Sequence, residues 1–137
     1  MTPEALAALQ ARAYNDMAPW SAAAFEGLLR DPHVHLFESD AAFLLVRFVL
    51  DEAEILALAT DPGHQRRGQA SNLIRQLHDQ AARAGIAQIF LEVAAPNTPA
   101  QAFYAHHGYA LTGLRKGYFR QPDGTRTDAL LMSRALT

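Results

Sequence analysis

The segment from residue 61 to residue 77 reads DPGHQRRGQASNLIRQL and passes from turn-forming residues through two arginines into a helical pattern. The first N–H groups of a helix have no intrahelical acceptor, and the helix dipole adds partial positive charge there. Arg66 and Arg67 bring full charges to the same point, and Gly68 lets a ligand approach the backbone closely. This predicts an anion site suited to a pyrophosphate. The alternative is a solvated loop, because the spacing matches neither a P-loop nor a dinucleotide-binding pattern.

A carboxylate and a phenol further along the chain are of the types that general acid–base chemistry uses. Glu92 stands within the apolar run IFLEVA, where partial burial would make it a better base near neutral pH. Tyr104 follows Phe103, so the two rings point in different directions and one can face a cleft while the other packs. Each also has an ordinary interpretation, Glu92 as an outward-facing residue and Tyr104 as a core residue.

The histidines give a weak indication of a metal site. His33 and His35 share one face of a predicted strand, but no third ligand is evident nearby, so we interpret both as surface residues and predict no metal. His106 and His107 end a helix, where cations interact favourably with the dipole.

Two aromatic residues are candidates for substrate binding. Trp20 fits either a buried packing residue or a wall of an acceptor cleft, and Tyr118 fits either the lining of that cleft or the shield of a hairpin. The residue types leave both alternatives open.

The composition restricts the class of protein. The chain has 137 residues, 50% apolar and 19% charged, with a net charge of −2, which predicts a single domain over residues 1–137. Without a basic excess, neither nucleic acid nor a membrane surface is an expected partner. The absence of cysteine excludes disulfides and thiolate nucleophiles. There is no secretory leader pattern and no apolar run near the ~18 residues of a membrane span, so we expect a cytoplasmic protein.

Two helices are predicted first. The apolar spacing indicates a helix from Pro3 to about Met17, and a second helix that Ser21 caps and that stops before Asp31. Three strands of an antiparallel meander follow, with Asp51 and Glu52 as turn residues: 34–39, 41–50 and 54–60.

A strand–helix–strand unit is predicted next. Its helix runs from about Gln69 to Ala84, Gly85 ends it, and the strand 87–94 follows. Such a unit forms a right-handed crossover between parallel strands.

The last elements have sharp boundaries. Thr98 as the cap and Pro99 as the first helical residue begin a short helix that Gly108 closes. Two strands near 109–115 and 127–135 flank a QPDG turn.

In this order, the elements and motifs resemble the GNAT family of N-acetyltransferases from about residue 3 to the end of the sequence. The motifs are DPxxQRRGxA, then LEV, then N, AFY and GY. Within the family, the chain is most similar to the bacterial ribosomal-protein alanine N-acetyltransferases (RimI type), in several separate blocks: PWS at 19–21, VLDEAEILALATDP at 49–62, GIAQIFLEVAAPN at 85–97, AFYAHHGY at 102–109, and PDG with DAL between 122 and 130.

The resemblance implies a mixed α/β (α+β) fold, a mostly antiparallel sheet flanked by helices with the parallel strand–helix–strand unit at its centre. The sheet is expected to splay between strands 54–60 and 87–94, and acetyl-CoA is expected to bind there as cosubstrate, with no metal. In the family, the stretch that matches 65–70 holds the pyrophosphate, and the strand residues that match 58–60 pair with the pantetheine arm and orient the thioester carbonyl. The implied cofactor-binding residues are Leu58, Ala59, Thr60, Arg66, Arg67, Gly68, Gln69, Ala70, Ser71, Asn97 and Tyr104.

The resemblance also implies Glu92 as general base and Tyr104 as general acid. An α-amine with a pKa of about 7.7–8.0 is already partly neutral at pH 7, so a carboxylate acting through water is sufficient for it. The chain departs from the family pattern at Ala70, where glycine is common, and at GYFR 117–120, which replaces a tyrosine pair. A strand that usually precedes the first helix is not evident.

We therefore expect an enzyme that transfers the acetyl group of acetyl-CoA by direct attack of a primary amine, with a protein N-terminal α-amine as the first candidate acceptor. A small-molecule amine or amino acid is the alternative acceptor. A domain that binds coenzyme A or a protein partner without turnover is the non-enzymatic alternative. Glu92 and Tyr104 favour the enzyme, since a binding module needs neither.

Overall fold

The computed structural model of the chain describes residues 1–14, 18–65 and 67–136. The predicted order of helices and strands is confirmed: α1 (Pro3–Ala13), α2 (Ala22–Arg30), β1 (Val34–Glu38), β2 (Ala42–Val49), β3 (Glu52–Thr60), a 3-10 turn (Pro62–His64), α3 (Gln69–Arg83), β4 (Gln88–Ala94), α4 (Thr98–His106), β5 (Ala110–Arg120) and β6 (Arg126–Ala135).

The strands form a six-stranded sheet in the order β1-β2-β3-β4-β6-β5. All neighbouring pairs are antiparallel except β3 and β4, which run parallel and are joined by α3. The mixed, mostly antiparallel sheet with a central parallel unit is therefore as predicted.

A hydrophobic core lies on each face of the sheet. Successive side chains of β2 point to opposite faces, so Phe43 packs in the core beneath α1 and α2, whereas Leu44 packs in the core beneath α3. The helix α3 contributes apolar residues at helical spacing to the second core, among them Leu73 and Leu77, both fully buried. Each such side chain contributes roughly 1.5–3 kcal/mol by leaving water.

A β-bulge at Leu56 changes the face of the sheet to which alternate side chains of β3 point. Leu45 pairs with Ala57, but the next residue of β2, Val46, pairs with Ile55, so Leu56 has no residue opposite it. As a result Ile55 faces the core beneath α3, whereas Ala57 faces the core beneath α1 and α2.

The sheet opens at this bulge. The pairing of β3 with β4 ends at Ile55 and Leu91. Residues 56–60, here called the open edge of β3, therefore have no strand partner on that side. The expected splay between the two parallel strands is located here, and the bulge is its physical cause, because a bulge bends and twists its strand.

Two boundaries near the start of the chain differ from prediction. The helix α1 ends at Ala13, and Tyr14 already has an extended backbone; Met17 lies outside the described residues. The strand β3 begins at Glu52, because the turn before it is made by Leu50 and Asp51, with Leu50 at a φ of 55°.

Two boundaries in the last third also differ. The cap of α4 is Asn97, whose Oδ1 accepts a hydrogen bond from the N–H of Ala100 at 3.2 Å, and Thr98 is the first helical residue. The strand β5 continues to Arg120, beyond the predicted end at residue 115.

Within the described ranges, no helix combines the length and the apolar character needed to cross a membrane.

Candidate active site

A cleft of about 970 Å³ lies where β3 and β4 diverge, a size typical of small-molecule sites. It is lined by the open edge of β3, the end of β4, the first turn of α3, the helix α4, and residues before α2. The predicted site residues that line it are Trp20, Leu58, Ala59, Thr60, Gly68, Gln69, Ala70, Ser71, Glu92, Asn97, Tyr104 and Tyr118.

The open edge of β3 presents backbone hydrogen-bonding groups to the cleft. The N–H of Asp61 donates to the carbonyl of Ala41, towards β2, at 2.8 Å. The N–H of Leu58 points the other way and donates to the hydroxyl of Tyr14 at 3.1 Å. Because these groups alternate in direction along a strand, the N–H of Thr60 lies at the same open edge as that of Leu58. A ligand with an extended amide chain can pair with this edge as a strand would.

The start of α3 presents free amides to the same cleft. The first intrahelical bond runs from the N–H of Asn72 to the carbonyl of Gly68 at 3.0 Å. The N–H groups of Gln69, Ala70 and Ser71 therefore have no intrahelical acceptor. Gly68 has a φ of 77°, and a Cβ there would meet nothing within 4 Å. Glycine is thus needed at this position for its left-handed backbone conformation. The expectation from the sequence was that glycine is needed to let a ligand approach the backbone closely.

The sequence predicts that two arginines of this loop, Arg66 and Arg67, lie beside the phosphates of the ligand. Arg67 is exposed and is absent from the lining, and Arg66 lies outside the described residues. His64 and Gln65 line the cleft beside Gly68 instead. Within the described part of this loop, backbone amides rather than arginine side chains face the cleft.

Two predicted cofactor-binding side chains make internal hydrogen bonds. The Oε1 of Gln69 accepts from the hydroxyl of Ser39 at 2.6 Å and from the N–H of Ala41 at 3.1 Å. The Oγ of Ser71 lies 3.0 Å from Nε2 of His107. These bonds fix the first turn of α3 against the β1–β2 turn and against the end of α4.

Glu92 lies in the middle of β4, and its side chain is only 14% exposed. It lines the cleft, so the alternative of an outward-facing residue is excluded. Its Oε1 lies 3.3 Å from Nε of Arg115. The guanidinium of Arg115 in turn lies 5.2 Å from the ring centre of Tyr118, which is 48% exposed at the mouth of the cleft.

A second carboxylate lies on the same face of the sheet as Glu92. Glu54 pairs in register with Phe90, two residues before Glu92, and lines the cleft. Burial raises the pKa of Glu54, the charge of Glu92 raises it further, and Arg47 and Arg115 oppose the rise. A glutamate at the start of a strand is common on protein surfaces, so no pattern marked it.

Tyr104 lies on α4 and is buried, with the ring centres of Phe103 and Tyr109 at 5.3 and 5.6 Å. Among the described residues its hydroxyl has no hydrogen-bond partner, and the residue lines the cleft. Burial raises the pKa of Tyr104 well above its ordinary value. Its hydroxyl is therefore protonated near neutral pH and able to donate to a ligand.

Trp20 combines both roles that the sequence left open. It lines the cleft, and its ring packs on Phe25 with centres 5.4 Å apart. The backbone N–H of Trp20 donates to Oε1 of the fully buried Gln10 at 2.6 Å. Gln10 and the cleft-lining Tyr14 had no sequence signal, because both make their hydrogen bonds to residues outside α1, Trp20 and Leu58.

The histidines contact other side chains of the fold. The described residues contain no group of three or more His, Asp or Glu side chains able to hold a metal ion. The ring of His35 stacks on Phe48 at 4.6 Å. Contrary to the expected cationic role, the pKa of His107 is lowered by partial burial and by the nearby charges of His106, Arg75 and Arg134.

Comparison of this chain with known proteins finds acetyltransferases both among family models and among individual relatives. Residues 5–109 match the model of the acetyltransferase (GNAT) family. The ribosomal protein bS18-alanine N-acetyltransferase of Haemophilus ducreyi is 39% identical over 92 residues, which cover 67% of this chain and 63% of that protein. The enzyme of the same name from Salmonella typhimurium is 34% identical over 119 residues, 84% of this chain and 80% of the relative.

A solved structure shares the fold. The crystal structure of the ribosomal-protein-S18-alanine N-acetyltransferase from Escherichia coli superposes with a TM-score of 0.85 at 31% identity, over 98% of this chain and 87% of that one. In the sequence comparison, by contrast, the aligned segment spans 63% of the Haemophilus relative, which is somewhat less than two thirds of its length.

Proposed function

Because the chain belongs to the acetyltransferase (GNAT) family, we propose that it is an acetyl-CoA-dependent N-acetyltransferase whose acceptor is the N-terminal α-amine of a protein. One observation carries the proposal: the open edge of β3, the free amides of α3, Glu92 and Tyr104 all line one cleft. These groups supply the cosubstrate site and the acid–base pair that the transfer needs.

Acetyl-CoA fits the residues of the cleft. The free amides of residues 69–71 and the dipole of α3 suit its pyrophosphate. The open edge of β3 suits the amide groups of the pantetheine arm, and the N–H of Leu58 suits the thioester carbonyl. Asn97 lines the same cleft, although its Oδ1 is engaged in capping α4. Arg67 is exposed beside Gly68, so its contribution would be long-range attraction of the phosphates.

Glu92 is the proposed general base. Its carboxylate faces the cleft and takes a proton from the acceptor amine, directly or through a water molecule. Arg115 holds the carboxylate at 3.3 Å through Nε and fixes its orientation towards the mouth of the cleft. The neutral amine then attacks the thioester carbonyl and forms the C–N bond, and the C–S bond of the adduct breaks to release the thiolate. The nitrogen loses its second proton to water as the amide forms.

Tyr104 is the proposed general acid. A thiolate, with a pKa of about 8.5 for a cysteine-like sulfur, needs little help to leave, and a phenol can protonate it. The hydroxyl of Tyr104 is available because, among the described residues, it donates to no other group. Its buried ring is fixed by Phe103 and Tyr109, which keeps the hydroxyl in place.

The proposed acceptor follows from the relatives and from the mouth of the cleft. The Haemophilus and Salmonella proteins carry names that state alanine N-acetylation of a ribosomal protein. Trp20 and Tyr118 line the mouth and give an acceptor peptide two aromatic surfaces to contact. A ribosomal protein beginning with alanine is therefore the first acceptor to test.

The test is an assay of free coenzyme A released from acetyl-CoA with purified protein and a panel of acceptors. Peptides beginning with alanine should release coenzyme A, and the same peptides with a blocked N-terminus should not, even if they contain lysine. Release with polyamines or free amino acids alone would favour the small-molecule acceptor. Binding of acetyl-CoA without release for any acceptor would contradict an enzymatic function.

A further inference from the structure

The hydroxyl of Tyr14 accepts a hydrogen bond from a backbone amide at the open edge of β3. The N–H of Leu58 donates to it at 3.1 Å. Tyr14 is the first residue after α1, has an extended backbone and lines the cleft. The phenol therefore takes the place that a carbonyl oxygen of a paired strand would have, had β4 continued beside β3.

The same amide is the one that the proposed function requires, and the inference rests on that function. A backbone N–H makes one good hydrogen bond at a time. The phenolic oxygen of Tyr14 and the carbonyl oxygen of a thioester therefore compete for the N–H of Leu58. A ligand without that carbonyl, such as free coenzyme A, has no need to displace the phenol.

A second donor lies beside Tyr14. Gln10 is fully buried on the preceding turn of α1, and its Oε1 is engaged by the N–H of Trp20. Its Nε2 is buried and has no partner among the described residues. The side chain of Gln10 already lies beside the phenol of Tyr14. A hydroxyl that leaves Leu58 therefore has a donor next to it.

We propose that Tyr14 is a specificity-determining residue. Its hydroxyl accepts the hydrogen bond from the N–H of Leu58 until the thioester carbonyl of the ligand displaces it. The displaced hydroxyl then accepts a hydrogen bond from the side chain of Gln10. The carbonyl replaces an existing hydrogen bond rather than filling an empty position. Tyr14 therefore weakens the binding of acetyl-CoA relative to ligands that lack the carbonyl, and it recovers the amide when the product coenzyme A remains. Because Gln10 also holds the N–H of Trp20, the exchange is connected to the acceptor side of the cleft.

The test compares two ligands of nearly equal size by calorimetry, acetyl-CoA and S-ethyl-CoA, which lacks the carbonyl. In Tyr14→Phe the amide of Leu58 has no competing acceptor, so acetyl-CoA should bind about 3–10-fold more tightly than to the parent, with S-ethyl-CoA within about 2-fold. Tyr109→Phe, which also removes a partly buried hydroxyl, should leave the ratio of the two affinities unchanged.

Equal changes for both ligands in Tyr14→Phe would assign Tyr14 to packing and overturn the proposal. A selective loss of acetyl-CoA would also overturn it, because Tyr14 would then donate to the carbonyl. Should Tyr14→Phe not fold, the amide resonance of Leu58 in the parent decides: it should shift more with acetyl-CoA than with S-ethyl-CoA, and equal shifts would refute the exchange. If the parent binds neither ligand, the proposed function itself fails.

Discussion

The Oγ of Ser71 lies 3.0 Å from Nε2 of His107, so the first turn of α3 is tied directly to the end of α4. The first of these elements presents the amides proposed for the pyrophosphate, and the second carries Tyr104. An imidazole therefore lies one hydrogen bond away from the proposed phosphate site, and its protonation should respond to the ligand.

We expect the binding of coenzyme A to be accompanied by proton uptake at His107. In the free protein the pKa of His107 is lowered, first by partial burial and then by nearby cations. The negative charge of a pyrophosphate near Ser71 favours the protonated ring and raises that pKa again. Calorimetry near pH 6 in buffers of different ionisation enthalpy measures the number of protons taken up.

The control for this measurement is His107→Gln, which keeps a hydrogen-bonding amide near Ser71 but does not titrate. Proton exchange by the phosphates of the ligand is common to both proteins and cancels in the difference. Equal uptake by parent and variant would show that the ligand phosphates do not lie near His107.

The second prediction concerns Gly68. Gly68→Asp places a negative charge beside the free amides of α3 and should weaken coenzyme A binding ~10-fold or more, because like charges repel in the phosphate site. Gly68→Ala carries the same left-handed strain without the charge and should have a much smaller effect. Gly85→Asp is the matched control at the other end of α3, since Gly85 also has a φ of 77° and open space at Cβ. Equal loss in both aspartate variants would remove Gly68 from the site.

The third prediction separates chemistry from packing within one aromatic cluster. Tyr104→Phe should lower turnover, on the order of 10²-fold, while coenzyme A affinity and melting temperature change little, because the hydroxyl has no partner among the described residues. Tyr109→Phe should instead lose stability, since its hydroxyl lies 2.9 Å from Nε2 of His78, and keep most of its turnover. Single-turnover rates and thermal unfolding measure the two effects. If Tyr104→Phe behaves like the parent in both, Tyr104 is a packing residue.

Local sequence was sufficient to predict the strand–helix–strand unit. The helix α3 has a helical apolar stripe that includes Leu73 and Leu77, and Gly85 takes the left-handed conformation that ends such a helix. The position of Glu92 in the cleft followed from the family resemblance, because an apolar strand does not by itself indicate which face opens.

What could not be predicted depends on pairing between distant segments. The bulge at Leu56 is a property of the β2–β3 register, which the residues of β3 alone do not determine. The contact of Arg115 with Glu92 requires the strand order β4-β6-β5. Asn97 and Thr98 are both good cap residue types, so residue type alone does not decide which of them has the non-helical backbone of the cap. The bond between Tyr14 and Leu58 joins two elements with no shared motif.

The fourth prediction is a loss of stability in acid that depends on His78. Arg134 can only donate, so Nδ1 of His78 accepts from it at 3.2 Å and Nε2 carries the proton towards Tyr109. Burial first, and then the charge of Arg134, lower the pKa of His78 to about 4.

The direction of the pH effect follows from the difference between the pKa values of His78 in the unfolded and the folded chain. The unfolded chain takes up a proton on this residue near pH 6.5, whereas the folded chain does so only near pH 4. The stability that His78 contributes is therefore complete above about pH 6.5 and is lost as the pH falls towards 4. Denaturant unfolding at several pH values should show a shallower acid slope for His78→Gln than for the parent, and an unchanged slope would contradict the neutral imidazole.

The last prediction concerns Glu92 and tests the base and the acceptor together. Glu92→Gln keeps the size of the side chain and removes its basicity, so the fold and acetyl-CoA binding should persist while the rate falls ~10²–10⁴-fold near neutral pH. For an α-amine acceptor the deficit should shrink as the pH rises through about 8, because the amine then loses its proton unaided. A lysine-type amine, with a pKa near 10.4, would show no such recovery at that pH.

The matched control for Glu92→Gln is Glu54→Gln, since both carboxylates lie on one face of the cleft. If the loss reflects only the negative charge of the cleft, both variants should lose rate equally; if Glu92 is the base, Glu54→Gln should stay near the parent rate. The measurement is a pH–rate profile of the three proteins on a peptide that begins with alanine. A deficit of Glu92→Gln that stays constant to pH 9 would assign the carboxylate to positioning of the acceptor, and a rate equal to that of the parent would remove it from the mechanism.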